Sequence, residues 1–155
     1  MNAATTFSAG HDDLIHHISY DYYGTRLATC SSDQRIKVWD LIDDKWTSND
    51  TFKAHDGSVV KLSWAHPEFG QILASGSFDR TVRIWEESQQ DERDSGKRWF
   101  ERTRFSDSKG SVQDVKWAPS FAGLKLAVCE ASGVLRIYDC LDPVNMTPWE
   151  SVRIF

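Results

Sequence analysis

The chain has 155 residues, of which 40% are hydrophobic and seven are tryptophan, and this composition favours a folded domain over a disordered segment. Its 23 acidic and 18 basic residues give a net charge of −5, so the chain lacks the clustered basic surface expected for direct nucleic-acid binding. The apolar runs are too short for a membrane-spanning helix, and the N-terminus MNAATTFSAGHDD lacks the basic start and apolar core of a secretory signal.

The cysteines suggest an intracellular protein, and the possible glycosylation sites are interpreted accordingly. Cys30, Cys129 and Cys140 have no CxxC spacing, and an odd number of cysteines without a signal peptide fits free thiols in a reducing compartment. In such a chain we interpret the sequons at Asn49 and Asn145 as chance matches.

The first structural unit is predicted over residues 11–53, after an N-terminal edge segment at residues 1–10. Alternating apolar and polar residues in LIHHISY (14–20) predict a strand, and the polar stretch DYYGTR predicts a turn. RLATCS and RIKVWD predict two further strands around a tight turn at Asp33, and WTSNDTFKA predicts a fourth, edge-like strand.

The same order of elements recurs in units predicted at residues 54–107 and 108–155. CSSDQRIKVWD (30–40) returns as GSFDRTVRIWE (76–86) and, in a weaker form, as CEASGVLRIYD (129–139). The repeat spacing is 46 residues from Trp39 to Trp85 and 53 from Trp85 to Tyr138, and the extra seven residues fall in a polar stretch at residues 86–98, which we interpret as a solvated loop. No helical periodicity is present. Repeats of this length predict an all-β fold, a partial β-propeller of three four-stranded antiparallel blades, because stacking the sheets buries both apolar faces of each.

Each of the first two units contains a histidine, a turn aspartate, a hydroxyl residue and a third-strand tryptophan. A buried polar group must be paired, so these side chains are predicted to form one hydrogen-bond network in each blade. The predicted sets are His11, Thr29, Asp33 and Trp39 in the first unit, and His55, Ser75, Asp79 and Trp85 in the second. In the third unit, Ser108, Ser132 and Tyr138 replace the histidine, aspartate and tryptophan, so we expect that blade to depend more on packing.

This pattern of His, LA-(S/T)-x-S-x-D and a third strand ending in W-(D/E) resembles the WD-repeat family. Two nearly complete copies and one degraded copy lie in register. The longer stretches WAHPEFGQILASGSFDRTVRIWEE and GLKLAVCEASGVLRIYDCLDP are similar to the Seh-type nucleoporins, a family homologous to the coat protein Sec-thirteen.

The resemblance implies a non-enzymatic scaffold subunit of the Y-shaped complex of the nuclear pore, peripheral at the nuclear envelope and supporting nucleocytoplasmic transport, including mRNA transport. It implies a hetero-oligomeric complex, in which a partner nucleoporin donates a blade that closes an open propeller. It also implies a place in a vacuole- or lysosome-associated nutrient-signalling complex. A Sec-thirteen-like scaffold subunit of secretory vesicle coats is the alternative, and a propeller that reads modified peptides is a third hypothesis.

The sequence departs from that family in two respects. Members of the family carry about twice as many blades, so we interpret the chain as a fragment and expect it to be poorly soluble, oligomeric or chaperone-bound on its own. His17 stands where the family usually has aspartate, and this difference is expected to alter contacts near the first strand.

The N-terminal segment is the predicted partner contact. Thr5, Thr6 and Phe7 suit a short strand. In the resembled family, the start of the chain lies where the donated blade pairs. We therefore predict that residues 4–8 and the open face of the first unit bind a partner by β-strand addition.

Other polar residues are given structural interpretations. His11, His16 and His17 are not predicted to bind metal, because neighbours in a strand point to opposite faces. Asp33, Asp79 and His55 are assigned to turns and networks and not to acid–base catalysis. A recurrent basic group is interpreted as the polar face of alternating strands: Arg35, Lys37, Arg80, Arg83 and Arg136. The sequence thus predicts no catalytic residue, no cofactor and no metal site.

Overall fold

The strands of the chain form three four-stranded antiparallel sheets, each built from consecutive strands. The structure is a computed structural model that describes residues 4–89 and 97–153. Blade 1 consists of β1 (Ile15–Tyr20), β2 (Arg26–Ser31), β3 (Arg35–Ile42) and β4 (Lys45–Lys53). Blade 2 consists of β5 (Val59–Trp64), β6 (Ile72–Ser77), β7 (Val82–Glu87) and β8 (Trp99–Phe105). Blade 3 consists of β9 (Val112–Trp117), β10 (Lys125–Glu130), β11 (Leu135–Cys140) and β12 (Trp149–Arg153). The predicted all-β fold with three four-stranded blades is confirmed.

Two short 3₁₀ helices interrupt the connections that follow the first strands of blades 2 and 3. They span Pro67–Phe69 and Ser120–Ala122. In the described ranges, no helix has the length and apolar character needed to cross a bilayer. The segments that sequence periodicity marked as strands therefore account for nearly all of the regular structure.

The hydrophobic core lies between the blades. We call the contact of blades 1 and 2 the first seam, and that of blades 2 and 3 the second seam. The first seam packs the inward face of blade 1 against blade 2, through Ala28, Cys30, Ile36, Val38, Phe52, Ala54, Val59, Leu62, Leu73, Trp85 and Trp99. The second contains Ala65, Ile72, Ala74, Val82, Ile84, Phe105, Val112, Val115, Leu124, Leu126, Val128, Tyr138, Cys140 and Met146. Each sheet thus buries its apolar surface only by stacking on a neighbour.

The two seams use the same pair of aromatic positions. In the first seam, Phe52 at the end of β4 packs on Trp85 of β7, with ring centroids 4.8 Å apart. In the second seam, Phe105 at the end of β8 stacks on Tyr138 of β11 at 3.8 Å. A fourth-strand phenylalanine on the third-strand aromatic of the next blade is therefore a repeated element of blade stacking.

The turn between the second and third strands of each blade adopts a left-handed conformation at one residue. Gln34 and Arg80 have φ values of 71° and 69°, and Gly133 occupies the same place in blade 3 with φ 83°. In the first two turns, the preceding aspartate accepts the backbone N–H two residues on and stabilises the turn. Blade 3 has no such aspartate, and glycine adopts this conformation at little cost.

One expectation from the sequence is wrong in detail. The stretch 86–98 is not wholly a solvated loop, because Glu86 and Glu87 belong to β7 and Glu87 bonds to Arg26 of blade 1. Residues 90–96 of that stretch lie outside the described residues.

The N-terminal segment forms no strand in the chain by itself, since no described strand pairs with residues 4–10. A strand requires a hydrogen-bonding neighbour, and β-propensity alone does not supply one. The pairing of Thr5, Thr6 and Phe7 with a partner's strand stays a prediction.

Candidate functional site: buried networks and the open face of blade 1

The four side chains singled out in the first unit lie in one chain of hydrogen bonds. His11 Nδ1 is 2.8 Å from Asp33 Oδ2, and His11 Nε2 is 2.9 Å from Thr29 Oγ1. The indole Nε1 of Trp39 donates to Thr29 Oγ1 at 3.2 Å. A carboxylate only accepts, so His11 donates to Asp33 through Nδ1–H, and its Nε2 lies within hydrogen-bond distance of the Thr29 hydroxyl. Every polar group in this chain has a partner.

Blade 2 repeats the chain with its own residues. His55 Nδ1 is 2.9 Å from Asp79 Oδ2, and His55 Nε2 is 2.7 Å from Ser75 Oγ. Trp85 Nε1 donates to the same Ser75 oxygen at 2.9 Å. Asp79 also accepts the backbone N–H of Asp56. The network therefore joins the turn before β5 to β6 and β7.

Protonation in the blade 2 network is determined by burial and by these bonds. Burial lowers the pKa of His55, and Asp79 only partly offsets that effect, so the imidazole is neutral at pH 7. Burial also disfavours the Asp79 carboxylate, but hydrogen bonds from His55 and Thr81 hold the pKa of Asp79 well below its usual range. The order Asp–His–Ser matches that of a nucleophilic triad, yet the Ser75 hydroxyl is fully buried and already bonded to Trp85. The arrangement stabilises the blade and presents no nucleophile to a substrate.

In blade 3 a buried glutamate, Glu130, takes the place of this network. The sequence analysis did not predict it. Glu130 is 5% exposed and lies near Ser108 and Ser132, which occupy the histidine and aspartate positions. Its Oε1 is 3.7 Å from Arg136 Nη2, and neither carboxylate oxygen meets hydrogen-bond geometry within the described residues. Burial opposes ionisation, but the two serines and Arg136 hold the pKa of Glu130 below its ordinary value. Blade 3 thus carries this carboxylate at the end of its second strand, whereas blades 1 and 2 carry theirs in the turn that follows.

Tyr138 also has a polar partner in blade 3. Its hydroxyl donates to Asp107 Oδ2 at 3.2 Å. The expectation that this blade depends mainly on packing is therefore incomplete, because blade 3 retains polar links from its second and third strands. Glu130 could have been suspected from sequence, since a charged residue replaces Ser31 and Ser77 at the equivalent strand position.

The N-terminal segment packs on blade 1 through Phe7. The Phe7 ring meets Trp39 edge-on, with centroids 5.3 Å apart. Trp39 is the blade 1 equivalent of Trp85 and Tyr138, which receive Phe52 and Phe105 from a preceding blade. Phe7 thus occupies the place of a fourth-strand phenylalanine although residues 4–10 form no strand. Thr5 and Thr6, which directly precede Phe7, are exposed.

The face of blade 1 that carries the buried Trp39 has two exposed apolar side chains on its first strand. Ile18 pairs with Thr29, and Tyr20 pairs with Leu27, which in turn pairs with Trp39. Directly opposed residues share a face, so Ile18 and Tyr20 lie on the side away from blade 2. These two side chains are 56% and 60% exposed. We call this surface, with Phe7, the open face of blade 1.

The remaining candidates from the sequence have structural partners or lie at the surface. Lys37 Nζ donates to the carbonyl of Gly10, and Arg83 lies 3.5 Å from both Asp79 and Glu101. Arg80 is exposed in a turn, and Arg35 is exposed at the start of β3. Among the described residues, no group of three His, Cys, Asp or Glu side chains has a metal-binding arrangement.

All three cysteines are free thiols. Burial raises the pKa of Cys30 to about 12, so its thiol stays protonated at neutral pH. Burial likewise raises the pKa of Cys140. Neither residue is an activated thiolate.

A cluster of charged side chains joins blades 1 and 2 in the first seam, and the sequence analysis did not predict it. The Arg26 guanidinium bonds to Asp40 Oδ1 at 2.6 Å in its own blade and to Glu87 in blade 2. Asn49 donates to Asp40 and accepts the indole N–H of Trp99. Arg26 and Glu87 are far apart in sequence, and no local pattern indicates that they meet.

The repeated blades, networks and turns define a class of protein. The model of the family "WD domain, G-beta repeat" matches residues 3–40 and 46–86, together about half of the chain. The chain belongs to this family, and the resemblance inferred from its repeats is confirmed.

Comparison with individual proteins confirms the narrower resemblance to the Seh-type nucleoporins. The chain is 50% identical to Nucleoporin SEH1 of Danio rerio over 153 residues, which cover 96% of this chain and 42% of that protein. It is 50% identical to Nucleoporin SEH1 of Saccharomyces cerevisiae over 145 residues, 92% of this chain and 42% of that protein. Nucleoporin SEH1-A of Xenopus laevis is 49% identical over 153 residues, with coverage of 96% and 42%. The chain spans less than half the length of these relatives.

Proposed function

We propose that this chain is part of a non-enzymatic scaffold protein of the nuclear pore. The observation that carries the proposal is the 49–50% identity to proteins named Nucleoporin SEH1 in fish, frog and yeast, over nearly the whole of this chain. The buried networks support it, because the histidines and aspartates that could perform chemistry are committed to holding blades together. We assign no cofactor, no metal and no catalytic residue to the protein.

We propose that the open face of blade 1, together with Thr5, Thr6 and Phe7, is the partner contact. The partner is a nucleoporin that donates a blade to the propeller. Phe7 on Trp39 supports this assignment, since the same aromatic pair occurs in both seams where two blades stack. The exposed Ile18 and Tyr20 provide apolar surface for such a blade, and the N-terminal backbone provides an edge for strand addition.

The proposed complex and its place in the cell are based on the same relatives and on the family resemblance. We propose a hetero-oligomeric place in the Y-shaped complex, peripheral at the nuclear envelope, supporting nucleocytoplasmic and mRNA transport without direct nucleic-acid binding or membrane insertion. We also propose a second place in a vacuole- or lysosome-associated nutrient-signalling complex. The boundaries 11–53, 54–107 and 108–155 are our proposed blades.

Affinity purification from the native cell tests the assignment. The chain, tagged so that residues 4–8 stay accessible, is captured and its copurifying proteins are identified by mass spectrometry. Recovery of pore-coat nucleoporins supports the proposal. Recovery of secretory-coat subunits would transfer the protein to the Sec-thirteen-like alternative, and a folded chain that recovers neither would overturn both.

A substitution at Phe7 tests the contact itself. Phe7→Pro removes the ring from Trp39 and a backbone donor from the segment, so recovery of the nucleoporin partner should fall at least about tenfold. Phe121→Ala, on a blade 3 ring that is 92% exposed, is the matched control and should leave recovery unchanged. Equal recovery with Phe7→Pro and the unmodified chain would exclude residues 4–8 from the contact.

A further inference from the structure

The first strand of each sheet leaves one edge without a strand partner. The order β1-β2-β3-β4 is repeated in each blade, so β1, β5 and β9 are edge strands, and they lie beside one another across the seams. Unpaired backbone N–H groups at such an edge need acceptors. The structure shows where several of them bond.

Across each seam, side chains and carbonyls on the first strand of one blade accept hydrogen bonds from the first strand of the next blade. The backbone N–H of Leu62 on β5 donates to His17 Nδ1 on β1 at 3.0 Å. In the second seam, the backbone N–H of Trp117 donates to Ser63 Oγ at 3.3 Å. The indoles of Trp64 and Trp117 donate to the carbonyls of Ser19 and Ser63. Of these acceptors, only the His17 imidazole can gain a proton near neutral pH.

His17 follows a bulge that recurs at the equivalent position of each blade. The pairing of β1 with β2 shifts register between Ile15 and His17. Such an irregularity re-aims the side chain that follows it. The neutral ring accepts at Nδ1 and must therefore carry its hydrogen on Nε2.

We propose that His17 is a pH-sensitive latch on the first seam. The neutral imidazole holds the Leu62 N–H, and protonation at Nδ1 removes the lone pair that accepts it. The backbone of β5 then loses its bond to His17, although the Trp64 indole still donates to Ser19. The second seam, where Ser63 is the acceptor, is unaffected. This device is independent of the proposed partner and function.

The surroundings of His17 favour the neutral ring. Burial and the charges of Lys61 on β5 and Lys116 on β9 lower the pKa of His17, and Asp114 on β9 partly opposes them. On the side of β2, the neighbour is the Cys30 thiol, which is uncharged at these pH values. A polar recess of about 320 Å³, lined by His17, Lys61, Asp114 and Lys116, lets water reach the latch.

The lowered pKa of His17 sets the direction of the pH effect. The folded-state pKa of His17 lies below the ordinary value of 6.5. The unfolded or unlatched chain therefore binds the proton more tightly, and the latch contributes fully above pH 6.5. Its contribution is lost as the pH falls from 6.5 through the folded-state pKa.

Hydrogen–deuterium exchange of the 155-residue chain tests the latch. Protection of peptides covering residues 59–64, corrected for the intrinsic exchange rate, is measured between pH 7.5 and 5.0. We expect protection to fall by up to about tenfold per pH unit below 6.5. Peptides covering residues 112–117 should show no such fall and serve as an internal reference.

Two substitutions distinguish protonation of His17 from other effects of low pH on the chain. His17→Asn keeps an acceptor near the Nδ1 position and does not titrate, so protection of residues 59–64 should become independent of pH. His16→Asn changes the adjacent histidine, which bonds to Ser32 in its own blade and makes no direct bond to β5. Ser32 keeps its bond from Ser58 of blade 2, so this variant should behave as the unmodified chain. A flat profile in the unmodified chain, or an equal fall in His17→Asn, would overturn the proposal. Should His17→Asn not fold, the profiles of the unmodified chain and His16→Asn still decide it, since the proposal requires both to fall.

Discussion

Single residues hold each blade by satisfying buried polar groups, and the blade 2 aspartate shows how many bonds one carboxylate can make. Asp79 Oδ1 accepts the backbone N–H and hydroxyl of Thr81, and its Oδ2 accepts from His55 and from the backbone of Asp56. Four donors converge on two oxygens that cannot donate. The turn, the histidine and the start of the blade are therefore connected through one side chain.

Replacing Asp79 with asparagine should destabilise the chain. The amide would place an NH₂ against donors that need an acceptor, so Asp79→Asn should lower the free energy of unfolding at pH 7 by about 1–3 kcal/mol. Because the pKa of Asp79 is depressed on folding, its contribution is fully present above the unfolded value of about 3.9 and is lost progressively as the pH falls from that value through the much lower folded-state pKa. Urea unfolding should show the difference in stability between the two proteins shrinking steadily below about pH 4. The exposed Glu150→Gln is the control, and a difference that stays constant below pH 4 would contradict the prediction.

Glu130 provides a second prediction at the residue scale. Glu130→Ala removes the carboxylate that faces Arg136. The guanidinium then lacks this carboxylate, so the free energy of unfolding should fall by about 1–3 kcal/mol. The double variant Glu130→Ala with Ser132→Asp returns the carboxylate to the turn position used in blades 1 and 2. It should recover part of the loss in thermal unfolding. If the single variant were as stable as the parent chain, Glu130 would not be a replacement for the turn aspartate.

Strands become stable elements here by pairing within a blade and stacking between blades. The fourth strand of one blade and the third strand of the next supply the aromatic pair of each seam. In the second seam, Trp149 of β12 also meets Phe105 edge-on, at 5.3 Å. Phe105 is therefore enclosed between aromatic rings of the following blade.

Truncating Phe105 should be costly because the ring is buried in the second seam. Phe105→Ala removes the stack on Tyr138 and leaves a cavity, so the free energy of unfolding should drop by about 3–5 kcal/mol. Phe121→Ala changes a ring that is 92% exposed and should stay within about 0.5 kcal/mol of the parent. Chemical denaturation compares the two, and similar losses would show that the aromatic pair does not hold the seam.

At the scale of the whole molecule, stability comes from contacts between blades that are distant in sequence. Both clusters of buried apolar residues lie across seams, and no blade has a separate core of comparable size among the described residues. Polar bridges follow the same course, as Arg26 links Asp40 of blade 1 to Glu87 of blade 2. The blades are therefore expected to unfold together.

Removing Arg26 tests this interblade link. Arg26→Met keeps most of the apolar volume and leaves Asp40 and Glu87 without their cation, which should lower stability by about 1–3 kcal/mol in a partly exposed cluster. Adding Glu87→Gln should recover part of the loss, because one uncompensated charge is removed. Unfolding followed by tryptophan fluorescence measures both variants. A double variant no better than Arg26→Met would show that Glu87 is not coupled to Arg26.

The sequence by itself determined the strands, the blade repeat and the members of the first two networks, because these depend on local periodicity and on residues at fixed positions within one unit. Tertiary structure alone decided which distant groups meet: Phe7 on Trp39, Arg26 with Glu87, and His17 with the Leu62 N–H. Each of these contacts depends on how a blade stacks on its neighbour or on how the N-terminal segment packs on blade 1. Short-range patterns carry no information about those distances, so the open face of blade 1 and the His17 latch could be located only in the folded chain.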